Sequence, residues 1–179
     1  MKSVLISIKP QWCELIVTGK KTVEIRKSCP KTVEPFRCYI YQTKTRWTYE
    51  LLRKLALEDL AERLARGRGK VIGEFICDQC IAYDPTNIIE AAELSIKSLV
   101  MIGDIRQYAK GKKEIYGLHI SKLKIYDEPR PLTNYQFPCP NDIYCESCAM
   151  YQEHAHACGN YALQVKKPPQ SWFYVEDNT

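Results

Sequence analysis

A lysine, a glutamate and an arginine fall close together in the string Gly19-Lys20-Lys21-Thr22-Val23-Glu24-Ile25-Arg26. If residues 22 to 26 form a strand, alternation puts Val23 and Ile25 on one face and Thr22, Glu24 and Arg26 on the other. A carboxylate and a guanidinium then share a face, and Lys21, at the turn before the strand, has a side chain long enough to reach it. The guanidinium fork suits a phosphate or a base edge, the carboxylate accepts from an exocyclic amine, and a desolvated lysine loses basicity. In a reaction, Lys21 would serve as base or nucleophile, Glu24 would shuttle a proton or hold a nucleobase amine, and Arg26 would hold phosphate or an oxyanion. A solvated strand face carrying a Glu24–Arg26 ion pair gives the same alternation, with a worth of only ~0–1 kcal/mol.

The flanking sequence supplies elements to position this string. Val4, Ile6 and Ile8 alternate with polar neighbours, the pattern of a half-buried strand. Pro10 suits the first turn of a helix, with Trp12, Leu15 and Ile16 on one stripe and Gly19 as its left-handed stop. Residues 37 to 42 predict a strand, and Leu57, Leu60, Ala61 and Leu64 give the apolar stripe of a helix over about 49 to 66. Residues 71 to 76 read as a central strand interrupted by one charge, Glu74, and residues 86 to 110 as mainly helical. From Tyr116 to Tyr126 the apolar phase shifts, from Leu118 and Ile120 to Leu123 and Ile125, which predicts a bulge or bend near Ser121. A last strand is expected over residues 172 to 175.

The chain has 179 residues, of which 45% are apolar and 26% charged, the proportions of a folded globular domain. No repeat or flexible linker divides it. One α+β domain over residues 1–179 is expected, with a helical insertion at about 48–68 and a Cys-rich insertion at about 139–158. The N-terminal apolar run is too short for a signal peptide and no stretch approaches a membrane span, so a cytoplasmic address without membrane contact is expected. The net charge of +5 leans toward acidic partners such as nucleic acid.

The string from Gly19 to Arg26 resembles the G-x-K-x-x-E-x-R signature of ASCH domains, at all four of its specified positions and after the first helix as in that family. Ser7-Ile8-Lys9-Pro10 with Trp12, the strands at 71–75 and 116–126, and the ending Pro168-Pro169-Gln170-Ser171-Trp172 also resemble the short phage- and bacteria-associated ASCH proteins. The resemblance implies a PUA-like β-barrel of five to six strands with flanking helices and a cleft that takes RNA or a modified nucleotide. The signature residues Lys21, Glu24 and Arg26 would line that cleft, and the ligand set expected is Lys9, Trp12, Lys21, Glu24, Arg26, Tyr41, Ser171 and Trp172. Some relatives hydrolyse acetylated cytidine or cleave RNA, which would make Lys21 and Glu24 catalytic. The deacetylating members carry a threonine where this chain has Glu24, so their reaction does not transfer unchanged, and Glu74 matches no motif for their second carboxylate.

Trp12, Tyr39, Tyr41 and Trp172 can offer stacking platforms to an unpaired base, although aromatic residues in such positions more often fill a core. His119, between Leu118 and Ile120, reads as a hydrogen-bonded structural histidine. The nine cysteines read as thiols or metal ligands rather than as disulfides. Cys139, Cys145, Cys148 and Cys158 have the spacing of a structural Zn²⁺ site, with His154 and His156 in reserve, and no organic cofactor is expected. A second C-x-x-C, Cys77 to Cys80, is either half of a paired site or a buried hydrophobe at a strand end.

Three functions fit these residues: a module binding RNA or a modified nucleotide, a small hydrolase using Lys21 and Glu24, and a non-catalytic scaffold for protein partners. The first needs a charged cleft, the second adds a desolvated Lys21, and the third predicts a flat, solvated Glu24–Arg26 face.

Overall fold

A computed structural model describes residues 2–44, 58–139 and 161–176. Its elements run β1 (Lys2–Ile8), α1 (Pro10–Val17), β2 (Val23–Arg26), β3 (Phe36–Gln42), α2 (Glu58–Gly67), β4 (Val71–Cys77), β5 (Cys80–Tyr83), α3 (Ile88–Ser98), α4 (Ile102–Ala109), β6 (Ile115–His119), β7 (Ser121–Arg130) and β8 (Trp172–Glu176). Short 3-10 turns cover Leu132–Asn134 and Tyr161–Leu163.

The strands form two open sheets rather than the closed barrel expected from the family resemblance. One has the order β7-β4-β3-β1-β8, the other β2-β6-β5. The structural reason lies at Ile120. There the chain leaves β6, paired with β2 and β5, and enters β7, paired with β4, so one ribbon serves both sheets without a continuous ladder between them. Lys122 takes φ +46° just beyond this corner. The apolar phase shift near Ser121 is thus a change of sheet.

Strand β1 is buried on both faces, not one. It lies between β3, in parallel, and β8, antiparallel. Val4, Ile6 and Ile8 join Cys38 and Ile40 in a core that α1 closes with Cys13 and Ile16. Leu5, Tyr39 and Tyr41 point the other way, into a second core with Tyr126, Tyr135 and Val165. A third core holds the apolar face of β2, Val23 and Ile25, against Tyr83, Leu94 and Ile105. Its close fit depends on Gly117 in β6, where a Cβ would lie 2.8 Å from Val23 Cγ1 and 2.9 Å from Tyr83 Cε2.

Helix α3 starts on an Asn87 cap, whose side chain accepts from the N–H of Ile89 at 3.0 Å. Ala61 and Leu64 of α2 are buried, as the apolar stripe requires, while residues 48–57 of the expected helical insertion lie outside the described residues. Cys77 is a buried core residue, whereas Cys80 forms a disulfide with Cys29, contrary to the expectation of thiols or metal ligands. The loop after β2 folds back onto the start of β5, a contact that spacing along the chain does not announce.

Candidate functional site

The site begins with the turn after α1. Gly19 takes φ +71°, the left-handed conformation expected of it, and the Lys21 N–H donates to Leu15 O at 2.9 Å. This turn sends the Lys21 side chain into the protein. Its ammonium donates to Ser98 O, at the C-terminal end of α3, at 2.7 Å and lies 3.4 Å from Glu24 Oε2 and 5.1 Å from the centre of the Trp12 ring. Helix α3 contributes here through its carbonyl end, which carries partial negative charge and favours a cation.

Glu24 joins the two cations. Its Oε1 accepts from Arg26 Nη1 at 2.6 Å, and Arg26 Nη2 donates to Ser7 O on β1 at 2.6 Å. The face that a solvated strand would expose is interior: Lys21, Glu24 and Arg26 are 2%, 4% and 8% exposed. A flat, solvated Glu24–Arg26 face, the mark of a pure scaffold, is not what β2 presents. Burial pushes the Lys21 ammonium below its ordinary value of 10.5, opposed by the charge and hydrogen bond of Glu24, while Arg26 adds to the lowering. Beneath the triad, burial and then the Glu24 charge push the Cys13 thiol well up, so it stays protonated.

The triad forms the floor of a cavity of about 550 Å³, within the range usual for small-ligand pockets. Helix α1 supplies Gln11 and Trp12, β1 supplies Ser7 and Ile8, α4 supplies Asp104 and Tyr108, and the segment before β8 supplies Pro169 to Ser171. Two of these walls are tied together, since Ser7 Oγ donates to Pro169 O at 2.7 Å and the Ser7 N–H to Ser171 O at 2.9 Å. Arg26 Nε and Gln11 Oε1 are buried without a hydrogen-bond partner among the described residues. A donor and an acceptor are thus left open in the lining, at a cost of about 1–3 kcal/mol each until something fills them.

Of the residues expected at a ligand site, Lys9, Trp12, Lys21, Glu24, Arg26 and Ser171 line this one cavity. Tyr41 and Trp172 do not. The register of β3 turns Tyr41 away from α1 into the core with Leu5 and Tyr135, where burial raises its phenol. Trp172 packs against the core beside α1, stacks edge-on against Tyr174, and donates from Nε1 to Ser28 O at 3.2 Å. It fastens the loop after β2 rather than facing the cleft. Gln11, Asp104 and Tyr108 were not singled out by sequence; the spacing of Asp104 and Tyr108 on one helix face was the only available signal.

His119 Nδ1 lies 2.6 Å from Asp78 Oδ1 at the surface, outside the cavity, in the structural role expected. Glu74 is also elsewhere, bound by Arg37 and by the Tyr126 hydroxyl. Of the cysteines considered for zinc, Cys139 is half-buried with its N–H donating to Glu176 Oε1 at 3.1 Å. Cys145, Cys148, Cys158, His154 and His156 lie outside the described residues. No helix among the described residues is long and apolar enough to cross a membrane.

A family model of the ASCH domain matches residues 6–127. Crystal structures of an ASCH protein from Zymomonas mobilis superpose on the chain. A serine-to-alanine mutant does so with a TM-score of 0.59 at 18% identity, covering 97% of this chain and 88% of that one. A tyrosine-to-phenylalanine mutant gives 0.54 at 19% identity, over 98% and 91%. A third structure of the same protein gives 0.52 at 19% identity, over 97% and 87%. No curated protein sequence matches the chain. With the family model spanning most of the chain and both elements of the charged floor, the protein belongs to the ASCH domain family, a PUA-like fold generally associated with RNA binding.

Proposed function

We propose that the cavity above Lys21, Glu24 and Arg26 binds a nucleotide, as part of RNA or as a free modified nucleotide. One observation carries this reading: a buried triad of two cations and one carboxylate opens onto a cavity lined by a donor, Arg26 Nε, and an acceptor, Gln11 Oε1, that have no partner among the described residues. Burying such a triad is expensive, and apolar residues of similar volume would stabilise the fold as well or better. Its retention at a cavity floor is the arrangement of a ligand site. Arg26 and Lys21 face the acceptor oxygens of the ligand, and Gln11 and Asp104 take its amine donors. Trp12 and Tyr108 supply aromatic faces for a base, a contact worth ~1–3 kcal/mol. Lys9 adds positive charge at the rim.

Binding is favoured over hydrolysis by the surroundings of Lys21. A lysine that attacks or abstracts a proton must be neutral, and although burial favours that form, Ser98 O and Glu24 both accept from the ammonium.

The test is titration of the purified chain with nucleotides, acylated nucleosides and short single-stranded RNAs, alongside Arg26→Gln, Gln11→Leu and Lys21→Ala. Saturable binding by the wild type and weakening of about tenfold or more in Arg26→Gln is the expected result. Failure of every probe to bind, or equal binding by Arg26→Gln and wild type, overturns the nucleotide reading. Lys21-dependent release of an acyl group or cleavage of RNA makes the protein a hydrolase instead.

A further inference from the structure

We propose that Cys29, Glu34 and Cys80 form a binding site for a thiophilic divalent cation such as Zn²⁺, opened when the Cys29–Cys80 disulfide is reduced. The three residues come from two pieces of chain, the loop between β2 and β3 and the first residue of β5. Their donor atoms, two Sγ and one carboxylate oxygen, all lie within 4.8 Å of one another. Tetrahedral zinc with bonds of about 2.3 Å to sulfur and 2.0–2.2 Å to oxygen needs ligand atoms roughly 3.5–3.8 Å apart, a small adjustment once the covalent bond is opened. The Cα atoms are 6.5 Å apart, and the bridge spans 51 residues of sequence, so the pair is brought together by the fold.

The carboxylate is already held in place. Glu34 Oε1 accepts the Cys80 N–H at 2.9 Å, which aims the side chain at the sulfur of the same residue. The β4–β5 turn beneath it is fixed on its other side by His119, whose N–H donates to Gln79 O at 2.9 Å and whose ring bonds Asp78. Glu34 brings a negative charge to this corner that favours a cation, while Asp78 is engaged by His119. Both cysteines are half-buried and Glu34 is exposed, so a hydrated ion can reach them. Two thiolates and one carboxylate leave a fourth position for water.

Opening the site requires a reductant. The S–S bond accepts two electrons from a dithiol, which closes to its own disulfide and passes its two protons to Cys29 and Cys80. Both protons go to solvent as the thiolates take the cation. None of the three residues lines the nucleotide cavity, so this site stands or falls independently of that reading.

The experiment uses the full chain reduced with excess dithiol, freed of it without oxygen, and titrated with Zn²⁺ against a competing chelator. Co²⁺ gives a parallel readout through its thiolate charge-transfer absorption. Wild type is expected to bind one equivalent more than the Cys29→Ser/Cys80→Ser chain, to lose that equivalent when the disulfide is re-formed, and to bind it at least about tenfold more weakly with Glu34→Gln. Any zinc held by the other cysteines cancels in the comparison of the reduced wild type with the double serine chain. Equal stoichiometry in wild type and the double serine chain, or in oxidised and reduced wild type, overturns the site. If the double serine chain does not fold by circular dichroism, unchanged affinity in Glu34→Gln overturns it.

Discussion

Among the described residues, a buried acid–base cluster on β2 and a half-buried one on β4 are used differently. In the cluster on β2, Glu24 pairs with Lys21 and Arg26 beside a cavity, and Arg26 Nε and the neighbouring Gln11 Oε1 have no hydrogen-bond partner among the described residues. In the cluster on β4, Glu74 accepts from Arg37 with one oxygen and from the Tyr126 hydroxyl with the other. Arg130 lies over the Tyr126 ring at 4.0 Å. Both carboxylates are bound on both oxygens; that of β2 differs in holding its two cations at the floor of the cavity of about 550 Å³, which Arg37, Glu74 and Tyr126 do not line. A charged residue inside a strand is therefore not by itself a functional sign. Polar capacity left over next to a cavity is.

The sharpest test of this contrast is removal of each carboxylate. Glu24→Leu leaves two buried cations face to face and is expected to cost about 3–5 kcal/mol in denaturant unfolding. Glu74→Leu frees a less buried arginine and is expected to cost about 1–3 kcal/mol, with nucleotide affinity unchanged. Equal costs, or lost affinity in Glu74→Leu, would erase the distinction.

Next comes Lys21→Met, which leaves the Glu24–Arg26 pair intact. Ligand affinity is expected to fall about tenfold while stability at neutral pH stays level or rises. Lys21 is harder to charge in the folded state than in the unfolded one, so its contribution is fully present above the ordinary 10.5 and is lost as pH falls through the lower folded value. Wild-type stability should accordingly carry a positive slope with pH as 10.5 is approached from below, and the slope should be missing from Lys21→Met in denaturant melts across that window.

A smaller effect is expected from Tyr126→Phe. Deleting the hydroxyl leaves a half-buried carboxylate still paired with Arg37 and should cost about 0.5–1.5 kcal/mol without changing affinity. The smallest concerns salt. If Arg26 contacts a phosphate of bound RNA, Arg26→Gln should reduce the slope of log affinity against log salt by about 1, measured over several salt concentrations.

Much of the cleft was legible in the sequence because its parts are local. Pro10, Gly19 and the spacing from Lys21 to Arg26 specify a helix, a stop and a strand within a short stretch, and Lys9 and Trp12 lie on the same piece of chain. Alternation also set Val23 and Ile25 apart from Glu24 and Arg26. What alternation could not say is that the polar face is interior, since it is covered by β1, α1 and α4, elements of the rest of the chain. Tyr41 was misassigned for a related reason: β3 is buried on both sides, and only its register with β1 and β4 decides which core each side chain enters. The Cys29–Cys80 contact depends on a loop folding back over a separate hairpin, for which the sequence holds no periodic signal.

The ribbon from Ile115 to Arg130 gives the molecule a shared seam. The Ile120 N–H donates to Thr22 O at 2.8 Å, at the border of the small sheet, and Ser121 Oγ donates to Ile76 O at 2.8 Å, in the large one. Neither sheet can peel away without tearing hydrogen bonds that the next residue makes to the other. The floor of the cleft, on a strand of only four residues at a sheet edge, therefore draws its persistence from the melting of the whole domain rather than from its own ladder.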